Sequence, residues 1–261
     1  MNDHMLHYPV EQGIMRDDAH TELMLKYIFE NQMNLDTKNI NVLMTDAPYN
    51  TKKDKQELAE LMFEKFKVKS FSLMNTAVLS LFSTGRTTGL VAECGEDITY
   101  TVPVFEGYAL PHALHHIPVA GKQVTQKLLE LLRESGTNVG NEHRQYVRDI
   151  KESMCHVAYN FDDELSSHDD PLSEEQRQYE LPDSRVIEVG HRQRLIAAEV
   201  LFNPSLVNYS YPEFDEDEDK TMGGIAKLAY ASIKQCDTDL KINLYNNIVL
   251  AGGSTLMNGF Y

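Results

Sequence analysis

Two glycine turns hold the residues best suited to gripping a phosphorylated ligand. The first, Glu93-Cys94-Gly95-Glu96-Asp97-Ile98-Thr99, lies between two β-rich runs. A turn of this kind can aim successive backbone N–H groups at a phosphate, and Thr99 adds a hydroxyl. The second, Gly252-Gly253-Ser254-Thr255, directly follows a short apolar run. Glycine at that point lets the backbone lie against a flat ligand such as a base or a ribose. Each motif alone is served equally well by a plain turn, because most glycine-containing hairpins bind nothing.

Other chemistries have weaker support. Pro111-His112-Ala113-Leu114-His115-His116 gathers three imidazoles, with Glu106 upstream. Zinc needs three or four ligands converging from one side, and neither a cysteine nor a second histidine pair lies nearby in sequence. A structural or surface role is the better reading, so no metal ligand is assigned. No G-x-S-x-G occurs and Cys94 has no local base, so no catalytic residue is assigned either. Cys94, Cys155 and Cys236 fit no zinc spacing and, being odd in number, no disulfide framework. They read as thiols of a reducing compartment.

Alternating helical and strand patterns position these residues. Asp17 to Asn34 has apolar side chains at near-helical spacing, with Asp17 and Asp18 at its start. Asn41 to Thr45 reads as a buried strand, stopped by Ala47-Pro48. Asp54 to Phe66 is amphipathic, with Leu58, Leu61, Met62 and Phe66 on one face, and Thr76 to Phe82 predicts a short helix ended by Gly85. Gly89 to Glu93 and Ile98 to Phe105 form a hairpin. Gly121 to Arg133 is a strong helix with Val124, Leu128, Leu131 and Leu132 inward, and Asn141 to Cys155 is another. Ile248 to Leu250 is a buried strand. Strands, helices and glycine turns in this mixture define an α/β fold.

The chain has 261 residues, 42% hydrophobic and 25% charged, which suits one large domain or two small ones. Asp and Glu number 40 against 24 Lys and Arg, for a net charge of −16. That balance argues against sequence-independent nucleic-acid binding, which needs cations for the phosphates. No apolar run reaches the roughly 18 residues of a spanning helix, and MNDHMLHYPVEQG lacks a signal-peptide pattern. Glu213 to Asp219 packs six acidic side chains into seven residues, which predicts a solvated surface loop rather than a docking loop for a basic partner. His168 to Gln178 is polar and reads as a surface connection.

Several stretches together resemble actin. His7 to Ile14 (HYPVEQGI) resembles its YPIEHGI segment, and Val42 to Asn50 (VLMTDAPYN) its VLLTEAPLN. Ala77 to Gly89 (AVLSLFSTGRTTG) and Thr101 to Ala113 (TVPVFEGYALPHA) are nearly the actin wording. Val147 to Glu152 (VRDIKE), Tyr179 to Asp183 (YELPD) and Leu250 to Thr255 (LAGGST) follow in the expected order. The resemblance is dispersed over residues 7 to 259, and the chain is identified as a member of the actin family.

The resemblance implies an actin-like, ribonuclease-H-like fold of two α/β domains that close on ATP and a divalent metal. Residues 1–84 correspond to the later part of the first domain. Residues 85–261 correspond to most of the second, with an acidic insertion around 211–220. The fold is expected to be incomplete at both ends, without the first phosphate hairpin and the closing C-terminal portion. Positions matching nucleotide contacts are Glu93, Gly95 and Thr99 for phosphates, Gly121, Lys151 and Glu152 for ribose and adenine, and Gly253 with Ser254. Glu93 stands where actin has Asp, Asp97 replaces a glycine, Met257 replaces a tyrosine and Gln12 a histidine. The two groups implied to place the attacking water are replaced by Thr76 and Tyr100, neither of which is a neutral-pH base. Phe202 to Ser205 (FNPS) resembles the start of the actin plug loop, and the acids soon after it disfavour an actin-type filament interface.

The expectation that follows is a non-catalytic, actin-like structural or scaffold subunit of a cytoplasmic cytoskeletal assembly, with a ciliary axoneme as one host. Its partners would be proteins, with no direct nucleic acid and no membrane, and it would not form an actin-type filament by itself. No cofactor is expected, ATP or ADP with Mg entering only if the missing regions are supplied. Two alternatives stand beside this reading: a nucleotide-binding actin ATPase or filament subunit of which this is a partial chain, and a nuclear actin-related subunit of a chromatin complex.

Overall fold

The computed structural model describes residues 7–167, 177–182, 184–207 and 223–261. The chain opens with a two-stranded hairpin, β1 (Val10–Glu11) and β2 (Ile14–Met15), and then α1 (Asp18–Tyr27). Asp17 caps α1, its Oδ1 accepting from the His20 N–H at 3.0 Å, which satisfies one of the helix's unpaired amides. The helix runs on into one π-turn, Ile28–Gln32, where the Met33 N–H reaches back five residues to the Ile28 carbonyl. The helical signal in the sequence is thus right in place, and the helix ends two residues before the signal does.

β3 (Asn41–Asp46) and β4 (Ser70–Asn75) pair in parallel, Asn41 opposite Ser70 and Asp46 opposite Asn75. The crossover between them is α2 (Lys52–Glu60) and its π-turn Leu61–Lys65. α2 starts two residues before the amphipathic stretch because Thr51 and Asp54 form a reciprocal capping box. Leu25, Phe29, Met62, Phe66 and Val68 fill a core under this pair. α3 (Thr76–Ser83) follows β4 directly, with the Asn75 side chain accepting from the Ala77 N–H at 2.9 Å.

Among the described residues the central sheet has five strands. β5 (Gly89–Cys94) and β6 (Thr99–Phe105) form the antiparallel hairpin, and β7 (Tyr108–Ala109) and β8 (His115–Ile117) both pair with β6. β11 (Ile248–Ala251) lies parallel to β5, Ile248 opposite Leu90. The first and last sequence motifs are therefore neighbours in one sheet. β5 and β6 are buried almost throughout. Ala77, Val78 and Leu81 of α3 pack with Val91, Tyr100, Val102 and Val104. Leu90 packs with Ile233 of α8 (Ile225–Gln235) and Leu244 of α9 (Thr238–Asn246).

Beyond the hairpin lies the helical layer. It contains α4 (Gly121–Glu134), α5 (Arg144–Met154), α6 (Phe161–Ser167) and α7 (His191–Glu199), with a two-stranded hairpin of β9 (Arg177–Glu180) and β10 (Val186–Val189). Val124, Leu128 and Leu132 of α4 are fully buried against Val147 and Ile150 of α5 and Ala197 and Ala198 of α7. The stretch from Asn141 divides into a 3-10 turn, Asn141–His143, and then α5. Arg177 and Gln178, read as part of a polar connection, belong to β9 instead. The acidic run Glu213 to Asp219 lies outside the described residues. Among the described residues no helix is long and apolar enough to cross a membrane.

Candidate functional site

The turn between β5 and β6 meets the start of α4 and the turn after β11. The Gly95 N–H closes the turn on the Ile98 carbonyl at 3.1 Å. Its own carbonyl accepts twice, from the Gly121 N–H at 3.0 Å and from Ser254 Oγ at 2.8 Å. The Lys122 N–H donates to the Glu96 carbonyl at 2.7 Å. Two of the amides left unpaired at the start of a helix are thereby spent on the hairpin.

There is little room to spare at Gly121, and glycine is required at Gly252, where two backbones touch. A Cβ on Gly121 would lie 2.8 Å from both Glu96 Oε2 and Ser254 Oγ. Gly252 has φ +88°, and a Cβ there would fall 2.2 Å from the Cys94 carbonyl oxygen. Gly253 differs: nothing lies within 4 Å of where its Cβ would be. Packing does not demand a glycine at that position, and its backbone faces open space.

That space is a cavity of about 470 Å³ lined by Gly95, Glu96, Arg148, Lys151, Glu152, Gly253, Ser254, Leu256 and Met257. Lys151 reaches it from α5, only 3% exposed. Its Nζ donates to the Gly121 carbonyl at 3.1 Å and to Glu96 Oε2 at 3.4 Å. Arg148 Nε donates to Glu152 Oε1 at 2.8 Å, one helical turn on, and this bond to a carboxylate raises the guanidinium pKa further. Two cations face two carboxylates, so the walls offer hydrogen bonds without a dominant charge.

Gly95, Lys151, Glu152, Gly253 and Ser254 are brought together on this cavity, and Gly121 stands directly behind it. Thr99 is placed otherwise. It is 1% exposed, and its hydroxyl donates to the Val119 carbonyl at 2.7 Å. The expectation that this hydroxyl faces a ligand is corrected: β6 turns it inward, where burial demands a partner. Asp97 has Lys122 Nζ 3.7 Å away. Glu96, Arg148 and Leu256 line the cavity without having been singled out in the sequence. Glu96 and Arg148 belong to stretches already marked, but nothing local shows that an exposed acid and a helix-surface arginine share one wall.

Glu93 belongs to a second group, by the end of β3. Thr76 Oγ1 and the Tyr100 phenol lie 2.8 Å apart, and Thr76 also reaches the Asp46 carbonyl at 3.4 Å. Tyr49 stands edge-on to Tyr100 at 5.9 Å and stacks on His116 at 5.0 Å, while its hydroxyl donates to the Gln12 carbonyl at 2.5 Å. Burial first, and then the charge of Glu93, raises the pKa of both phenols. The buried Asp46 accepts from Lys55 Nζ at 2.7 Å and Asn50 Nδ2 at 3.0 Å. Burial also raises all three thiols, that of Cys155 to about 12, so none is a ready nucleophile.

The turn of the β5–β6 hairpin, the start of α4 and the glycine turn after β11 thus converge on one cleft of an α/β fold. The actin family model matches residues 1–141 and 140–261. Putative actin-29 of Dictyostelium discoideum is 37% identical over 242 residues, which cover 92% of this chain and 59% of that protein. This chain belongs to the actin family, and it spans a little under three-fifths of the length of that relative.

Proposed function

We propose that this chain is a non-catalytic, actin-like structural subunit of a cytoskeletal assembly. The observation that carries this reading is the contact between Thr76 and Tyr100. Where the family resemblance implies groups that orient an attacking water, two hydroxyls hydrogen-bond to each other instead. A phenol whose pKa is raised by burial cannot take a proton from water near neutral pH. In this reading residues 1–84 and 85–261 act as two domains. Protein partners hold the chain in the cytoplasmic cytoskeleton, a ciliary axoneme being one such host.

A second reading, a nucleotide-binding ATPase chain, is favoured by the cavity at Gly253. The residues there fit one end of a nucleotide better than the other. The open face of Gly253 and the polar pair Lys151 and Glu152 suit a base and ribose. Towards the phosphates, Thr99 has its hydroxyl turned inward and Asp97 adds negative charge. No hydrolytic step is therefore assigned.

Equilibrium binding of Mg-ATP to the purified chain, followed by a phosphate-release assay, separates the two readings. The structural reading expects no saturable binding at roughly 10 μM nucleotide and no phosphate release. Micromolar binding with turnover would replace it with the ATPase reading. Micromolar or tighter binding without turnover would overturn it as well.

A further inference from the structure

We propose that His156, Glu164 and His191 form a binding site for a zinc-class divalent metal ion. Three elements deliver these side chains. His156 follows α5 in a segment bridged to Asn258, and the Val157 N–H donates to the Asn258 carbonyl at 2.8 Å. Glu164 projects from α6, and His191 is the first residue of α7.

Both imidazoles approach the same carboxylate oxygen through Nε2, His156 at 2.9 Å and His191 at 3.2 Å from Glu164 Oε1. The rings are 5.0 Å apart, and all three donor atoms lie within 4.8 Å of one another. With metal–ligand bonds of about 2.0–2.2 Å, tetrahedral zinc separates its donors by roughly 3.3 Å. The two imidazole–carboxylate spacings need lengthen by only a few tenths of an ångström to admit the ion, and the remaining donor pair lies within 4.8 Å. Each imidazole can move its proton to Nδ1, leaving the Nε2 lone pair for the metal with no net proton released.

Donor type and access point to the same class of ion. Two imidazoles and one carboxylate suit zinc, cobalt, nickel or copper, whereas magnesium and calcium prefer all-oxygen sites. His191 is 8% exposed at its side chain, against 23% for His156 and 30% for Glu164. One ligand is anchored in the interior while the other two border solvent, from which an ion can enter. The other convergent group among the described residues, His7 with Asp17 and His20, is more exposed, and its Asp17 is engaged as the cap of α1. This site is separate from the cleft at Gly253, and the proposal does not depend on nucleotide binding.

Calorimetric titration of the EDTA-treated full chain with ZnCl2, with MgCl2 in parallel, tests the proposal. One equivalent of Zn2+ is expected with Kd about 1 μM or tighter, and no heat from Mg2+. Glu164→Gln and His156→Gln, on the solvent side of the cluster, should weaken Zn2+ binding by roughly 10-fold or more. His7→Gln/His20→Gln should leave it unchanged. Co2+ substitution should give a visible absorption band that Glu164→Gln abolishes, with circular dichroism confirming that the variant is folded. No Zn2+ binding by the parent chain, or equal affinity in folded Glu164→Gln and His156→Gln, overturns the proposal.

Discussion

The hydroxyl of Thr76 lies 2.8 Å from the phenol oxygen of Tyr100, joining the first residue of α3 to β6. Tyr100 is 4% exposed, so its hydroxyl needs a partner inside the protein, and Thr76 supplies it. A pair satisfied in this way stabilises the join between the βαβ unit and the central sheet.

Tyr100→Phe and Thr76→Val should each lower stability by about 1 kcal/mol, the net worth of one buried hydrogen bond. The double variant should lose less than the sum of the two, because both remove the same bond. Urea unfolding of the four proteins measures the coupling, and full additivity would show that the bond contributes nothing.

The two neighbouring glycines should respond oppositely to alanine. Gly252→Ala places a Cβ 2.2 Å from the Cys94 carbonyl at a left-handed φ, and should destabilise by roughly 3 kcal/mol or more. Gly253→Ala meets nothing within 4 Å and should shift stability by less than about 0.5 kcal/mol. Thermal melting of both variants checks the contrast. If nucleotide does bind, only Gly253→Ala can weaken it without unfolding the chain.

Lys151 should matter more than its partner. Lys151→Met removes both the bond to the Gly121 carbonyl and the pair with Glu96, and should lower stability by about 1–3 kcal/mol. Glu96→Gln should cost well under about 1 kcal/mol, because that side chain is 45% exposed and its charge is screened. Chemical denaturation of the two variants, compared at one salt concentration, gives the ranking.

Glu199 should make stability depend on pH near neutrality. Burial, and secondly the charge of Asp162, pushes its carboxyl from the ordinary 4.5 up to about 7. The folded chain then holds this proton more tightly than the unfolded chain. Its contribution is fully present below about pH 4.5 and is lost as pH rises through 7. Glu199→Gln should therefore match the parent near pH 4.5 and exceed it at pH 8, by about 1 kcal/mol once solvent screening is allowed for. Denaturation at the two pH values decides it, and an equal difference at both would remove Glu199 as the cause.

Local patterns made much of the fold legible. The fully buried Val124, Leu128 and Leu132 recur at helical spacing, and α4 forms where they do. Gly89 to Glu93 and Ile98 to Phe105 flank a short glycine turn, and the β5–β6 hairpin forms there. Other local signals are weaker. Thr51 and Asp54 spell a capping box, and Ser70–Asn75 alternates in the manner of a strand, yet Phe71 and Leu73 are too few to declare a strand without β3 beside them. Among the site residues, Gly95, Lys151, Glu152, Gly253 and Ser254 were read from motif resemblance, and they do share one cavity.

By itself the sequence determined the family, the alternation of helices and strands, and the turns where glycine is obligatory. The family follows from ordered motifs that resemble actin, while the elements and turns follow from short-range sterics and apolar periodicity, which act within a few residues of chain. The tertiary structure alone decided that Thr99 turns inward, that Thr76 meets Tyr100, and that His156, Glu164 and His191 share one point in space. Residues from separate elements come within a few ångströms only when close packing of the core fixes how those elements lie against one another.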